Sequence, residues 1–126
     1  MPASSSKDQA LLNVQIDTCA DNFPTLIDQT RAKENAAISA ADLATARTLD
    51  DLGITFANQY ATLLKHQLKA IDDSAQMDAA IQKFAVVNQS IQTELKGIQQ
   101  IKEFTDKVTQ IAKIVAEGIQ IALMVA

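Results

Sequence analysis

Three glycines and two prolines are the only strong backbone breakers in a chain of 126 residues, and that scarcity leaves it little to fold into besides helix. A β-sandwich or a doubly wound sheet needs a turn about every 8–12 residues, and such turns draw heavily on glycine and proline. Hydrophobic residues make up 48% of the chain and aromatics 4%, so the core has to be assembled from aliphatic side chains. A chain of this length buries roughly two thirds of its unfolded surface and forms one domain without a staple. Cys19 is the only cysteine, which rules out a disulfide framework and any multi-cysteine metal site. The fold class that follows is all-α, an antiparallel bundle of four to five helices. An elongated helical hairpin with a packed N-terminal helix is the alternative arrangement. Residues 1–6 are expected to be disordered and 7–126 to form the single domain.

The net charge of −4 is unevenly spread. Residues 1–60 carry Lys7, Arg31, Lys33 and Arg47 against eight acids, while residues 61–126 carry seven of each. Nucleic-acid binding rests on clustered Lys and Arg neutralising phosphates, and no such cluster exists here. The start, Met-Pro-Ala-Ser-Ser-Ser-Lys, lacks the apolar run of a secretory signal. A cytoplasmic protein is expected, with signal-less secretion as the other route.

Ser6 followed by Gln9 has the spacing of a capping box, so a first helix is expected from about residue 7. Leu12, Ile16, Cys19, Phe23, Leu26 and Thr30 then recur at alternating spacings of four and three, the seam of a helix packed on a neighbour. Pro24 is expected to kink that helix or to open a second one. Residues 31–47 are rich in alanine, which favours helix and close approach. Thr48 with Asp51 reads as a second cap, and Leu49, Leu52, Phe56, Tyr60, Leu63, Leu64, Leu68 and Ile71 as one side of the helix it opens. Asp73 with Gln76 repeats the capping pattern. Beyond it, Met77, Phe84, Ile91 and Leu95 share one side of a helix, whereas Phe104, Val108, Ile111, Val115 and Ala122 lie on the other. Either the helix bends or stops at Gly97, or its halves meet partners on different sides. In the expected packing, 49–71 and 74–96 form a hairpin, and 98–126 lies between the first helix and a middle one.

Few residues carry chemistry. His66, the only histidine, falls with Thr62, Lys65 and Lys69 on a polar side, so it is expected to be solvated. No Glu-x-x-His pair exists for a di-iron bundle site. Cys19 lies within the apolar seam and reads as a small buried hydrophobe. The doublets Asp50-Asp51 and Asp72-Asp73 fall where helix starts are expected, so they read as caps. No phosphate-binding loop or Ser/His/Asp order is present. The chain is therefore expected to be no enzyme and to take no cofactor, metal or small-molecule substrate.

The C-terminal stretch is the most informative. Thirteen of the nineteen residues in 108–126 are apolar, interrupted by Lys113 and Glu117. Two ionisable residues in so short a run make a poor membrane span. The polar residues fill about a third of the circumference and leave an apolar arc of roughly 200°, against the 100° or more of a surface helix. An arc of that width suits a helix with two neighbours. A polar seam running into an aliphatic end resembles, in general pattern, components of helical pore-forming toxins and granule-coating phasins, though no residue is transferred by that likeness. Three functions follow as expectations. The first is a non-catalytic interaction protein that self-associates in a coiled-coil manner or binds a protein partner through Val108, Ile111, Val115, Ile119 and Leu123. The second is a membrane-active or lipid-surface protein using 104–126. The third is a small acidic inhibitor or immunity-type protein whose Asp-rich half meets a basic partner.

Overall fold

A computed structural model describes residues 6–124, with side chains from residue 7. The expected disorder of residues 1–6 lies outside what is described for residues 1–5, whereas the backbone of Ser6 already belongs to α1; the Ser6 hydroxyl of the first cap lies outside what is described. Four α-helices form an all-α bundle: α1 (Ser6–Ser39), α2 (Leu43–Leu64), α3 (Ser74–Gln89) and α4 (Ile101–Ala122).

The seam read along α1 is the seam that is buried. Leu12, Ile16, Cys19, Phe23, Leu26 and Thr30 are all fully enclosed, and the Thr30 hydroxyl is satisfied by donating to the Leu26 carbonyl at 2.8 Å. Pro24 neither ends this helix nor opens another, because α1 runs unbroken through it. An interior proline costs about 3 kcal/mol or more in hydrogen bonding and sterics. Here its ring points to solvent while Phe23 and Leu26 anchor the helix on both sides. Phe23 meets Phe56 of α2 edge-on, with ring centroids 5.8 Å apart.

The α1–α2 turn corrects the expected cap at Thr48. Asp42 is the cap: its carboxylate accepts from the Thr45 N–H at 3.2 Å and from the Thr45 hydroxyl at 2.7 Å. Thr48 lies inside α2 and donates back to the Ala44 carbonyl. The helix starts six residues early because Ala41 closes α1 with a positive φ of 60°, while Ala41 N–H bonds Ile38 O and Asp42 N–H bonds Ala37 O. That pair of bonds is a Schellman ending, whose left-handed residue is ordinarily glycine. Ala41→Gly is therefore expected to stabilise the protein by about 0.5–1 kcal/mol, read as a rise in the chemical denaturation midpoint. An unchanged or lower midpoint would contradict this account of the turn.

The expected helix over 49–71 ends at Leu64. Residues 65–73 form no helix, and Leu68 pairs with Leu123 in an isolated antiparallel bridge. Lys69 N–H donates to Ala122 O at 2.7 Å and Met124 N–H to Gln67 O at 2.8 Å. The Lys69 ammonium adds a bond to Gln120 O at 2.6 Å. Helix C-termini leave carbonyls without partners; the non-helical segment supplies donors to those of α4, and Ile71 is still buried under the bundle. Tertiary pairing thus overrides a helical apolar spacing.

That segment also changes the helix order. The expected hairpin of 49–71 with 74–96 does not form. The antiparallel hairpins are α1–α2 and α3–α4, and α3 packs on α1. Asn22 meets Asn88 and Gln92, and Lys33 meets Gln99, so α1 and α3 run in the same direction. The α4 helix lies against α3 and α2, with a smaller contact to α1, rather than between α1 and a middle helix. The change of apolar side near Gly97 is a break between two helices. After α3 comes a π-helical turn (Ser90–Glu94), then a 3₁₀ turn (Leu95–Gly97), and the chain is extended at Ile98 before α4 begins. Lys33 takes the freed Gln99 carbonyl at 3.0 Å and lies 5.7 Å from the centroid of the Phe104 ring. Asp73 caps α3 through Ala75 N–H at 2.8 Å, as its spacing predicts.

Candidate functional site

The residues expected to carry an interaction face inward. Val108, Ile111, Val115 and Leu123 are at most 1% exposed, and Ile119 is half-buried against the same core. The wide apolar arc of α4 is thus met within the chain, and at Gly118 the fit is tightest. A Cβ there would lie 3.0 Å from Cζ of Phe84, so the absence of a side chain lets the ring seat on α4.

His66 departs from expectation. Because α2 stops at Leu64, the imidazole turns back to the bundle: Nδ1 lies 2.7 Å from Leu63 O and Nε2 3.0 Å from Asn13 Oδ1, with an Asp17 carboxylate at 4.0 Å. Both ring nitrogens are occupied, and the ring ties the end of α2 to α1. Asp50 is not a helix start either. It sits within α2 and accepts from Arg31 at 2.6 Å, while Arg31 also holds Glu34 at 2.8 Å. The guanidinium lies across Gly53, where a Cβ would come within 2.7 Å of Arg31 Cζ.

Cys19 is fully enclosed, and burial pushes its thiol up to about 12. The thiolate is the reactive form, so folded protein at neutral pH is expected to resist a thiol-alkylating reagent that labels the denatured chain at once. Labelling of native Cys19 at a comparable rate would contradict its enclosure. Among the described residues there is no group of three His, Cys, Asp or Glu able to hold a metal ion, and no helix long and apolar enough to cross a membrane.

Among the described residues, large apolar side chains are exposed at Leu11, Val14, Ile38, Val86 and Met124, and two more extended surface features stand beside them. The first is a shallow open groove of about 540 Å³ at the α3–α4 break, lined by Glu94, Gly97, Ile98, Glu103, Asp106 and Lys107 among others. Its lysine is bound to Glu94, and that bond holds the Glu94 carboxyl below the usual range. What faces the groove is mostly acidic, and its lining holds no serine, threonine, cysteine or histidine.

The second is the outer side of α2. Leu43, Ile54 and Leu64 are 66%, 50% and 61% exposed. Together with Arg47, Asp50, Ala57 and Ala61 they form the series 43, 47, 50, 54, 57, 61, 64, which steps by four and three throughout. That is the spacing of a helix-packing seam. The core side of α2, about a quarter-turn round the helix, holds a full set of buried residues, Leu49, Phe56 and Leu63 among them, and Asp50 of the exposed series already bonds Arg31 of α1. The sequence contained this second seam, but an expected start near residue 48 cut off its first two members. It becomes visible once Asp42 is known to be the cap. No protein-family model, curated protein or solved structure matches this chain.

Proposed function

We propose that this chain is a non-catalytic helical interaction protein whose contact surface is the outer side of α2. One observation carries the reading: beside its core seam, α2 leaves Leu43, Ile54 and Leu64 half or more exposed at helix-packing spacing. Large apolar side chains left in water at helix-packing spacing are the usual mark of a face that another helix covers. The enclosure of Cys19 and the placement of His66 between Leu63 and Asn13, where it ties two helices, support a binding role over catalysis. The α4 residues, in this reading, build the scaffold that holds α2 straight.

Ile54→Glu tests it. Ile54 is half exposed, with only part of its surface packed within the chain, so this variant is expected to change the unfolding free energy by no more than about 1 kcal/mol. A loss of about 2 kcal/mol or more, the scale of a core substitution, would make Ile54 part of the fold and end the proposal.

A further inference from the structure

The α2 seam has a symmetry of its own. Its members read Leu43, Arg47, Asp50, Ile54, Ala57, Ala61, Leu64. Turned end for end about Ile54 and laid on itself, the series places Leu43 against Leu64, Arg47 against Ala61, Asp50 against Ala57, and Ile54 against Ile54. Each charged seam residue then meets an alanine, whose small side chain leaves room for the longer one to reach water. The same register brings Lys65, just past the helix end, close to Asp42, the cap at its start. It also opposes the two helix dipoles. In a parallel pairing Arg47 would face Arg47 and Asp50 would face Asp50, which is repulsive. Within the chain Asp50 is already compensated by Arg31.

From this self-complementarity we infer that the outer side of α2 pairs with α2 of a second copy of this chain, antiparallel, with Ile54 on the two-fold axis. The inference rests on the reading that this face is a contact surface, and it names the partner. An isologous contact of this kind closes at two copies. Its size sets its strength. The 22 residues of α2 span about 33 Å at 1.5 Å per residue, and a strip about 10 Å wide gives each copy of the order of 300–400 Å². A standard interface buries about 800 Å² per partner. The pair is therefore weak and reversible, with dissociation in the micromolar range or above.

Sedimentation of the full chain from about 10 µM to about 1 mM covers that range. The mass is expected to rise from one copy towards two and to stop there. Ile54→Glu should weaken the association at least tenfold with its helical circular dichroism unchanged. Orientation is read from disulfides, since enclosed Cys19 does not compete. Ile54→Cys should oxidise to a covalent dimer. A mixture of Leu43→Cys and Leu64→Cys chains should cross-link far faster than either alone. A single-copy mass throughout the range would overturn the pairing. If Ile54→Glu were also neutral in stability, the face would be left to a different protein, and the reading of the surface would stand without this partner. A dimer that ignores Ile54→Glu, or faster linking of Leu43→Cys to itself, would overturn it as well.

Discussion

Phe84→Ala is expected to lower the unfolding free energy by about 3–5 kcal/mol, the range for removing a fully enclosed phenylalanine. The ring is 0% exposed and rests on Gly118 of α4, so truncation opens a cavity where the C-terminal hairpin is packed most closely. Domains of this kind hold about 5–15 kcal/mol in all. The loss would lower the melting temperature by about 10–20 °C, which thermal denaturation followed by circular dichroism would register. A cost below about 1 kcal/mol would mean that the α3–α4 interface relaxes to fill the space. The same contact predicts a coupling: Gly118→Ala should harm the wild type and be better tolerated when residue 84 is the smaller leucine.

Asn88→Leu is the second large effect, at about 1–3 kcal/mol. Asn88 is 5% exposed and fills the α1–α3 contact with polar bonds. Its Oδ1 accepts from Asn22 at 3.1 Å, and its Nδ2 donates to the Gln15 carbonyl and side-chain oxygen, each at 3.0 Å. Leucine has the same branched shape but bulkier methyl groups, so the loss comes from the groups deprived of their partner and from some crowding of the contact. Replacing Asn22 by leucine as well should recover much of the stability, because two apolar groups then meet. Urea denaturation of the three variants separates these terms, and a single Asn88→Leu variant as stable as the wild type would show that the network adds nothing. Asn88 also fixes one residue of α3 against two turns of α1, at Gln15 and Asn22, and that specification is expected to loosen in the double variant.

The elements legible from sequence were those governed by local periodicity. The α1 seam follows from 4-3 spacing alone, the cap at Asp73 from one acid placed before a helical run, and the change of side near Gly97 from counting residues round a helix. What the sequence left obscure depended on distant partners or on rare backbone states. Nothing local marks Ala41 as left-handed, since that conformation is ordinarily glycine's, and the start of α2 was lost with it. Leu68 and Ile71 have helical spacing from Leu64, yet the Lys69 N–H and ammonium are drawn to the unsatisfied carbonyls at the end of α4. The wide arc on α4 was correctly read as needing more than one neighbour, but which helices supply them is a matter of connection. A non-helical 65–73 crosses the end of the bundle instead of turning tightly. The contact seam on α2 was hidden for a related reason, because a helix begun six residues late presents too few of its members to be counted.

The bridge between Leu68 and Leu123 also sets an order in time. A chain is made from its first residue onward, and Lys69 waits for Gln120, fifty-one residues later, before its ammonium has a partner. Until α4 has emerged, the α1–α2 hairpin stands with its lower end open and the segment after it unpaired. Closure thus waits until residues 120–123 have been made, and a chain halted just short of Leu123 would expose Ile71 and the base of the core to whatever chaperone or protease is near.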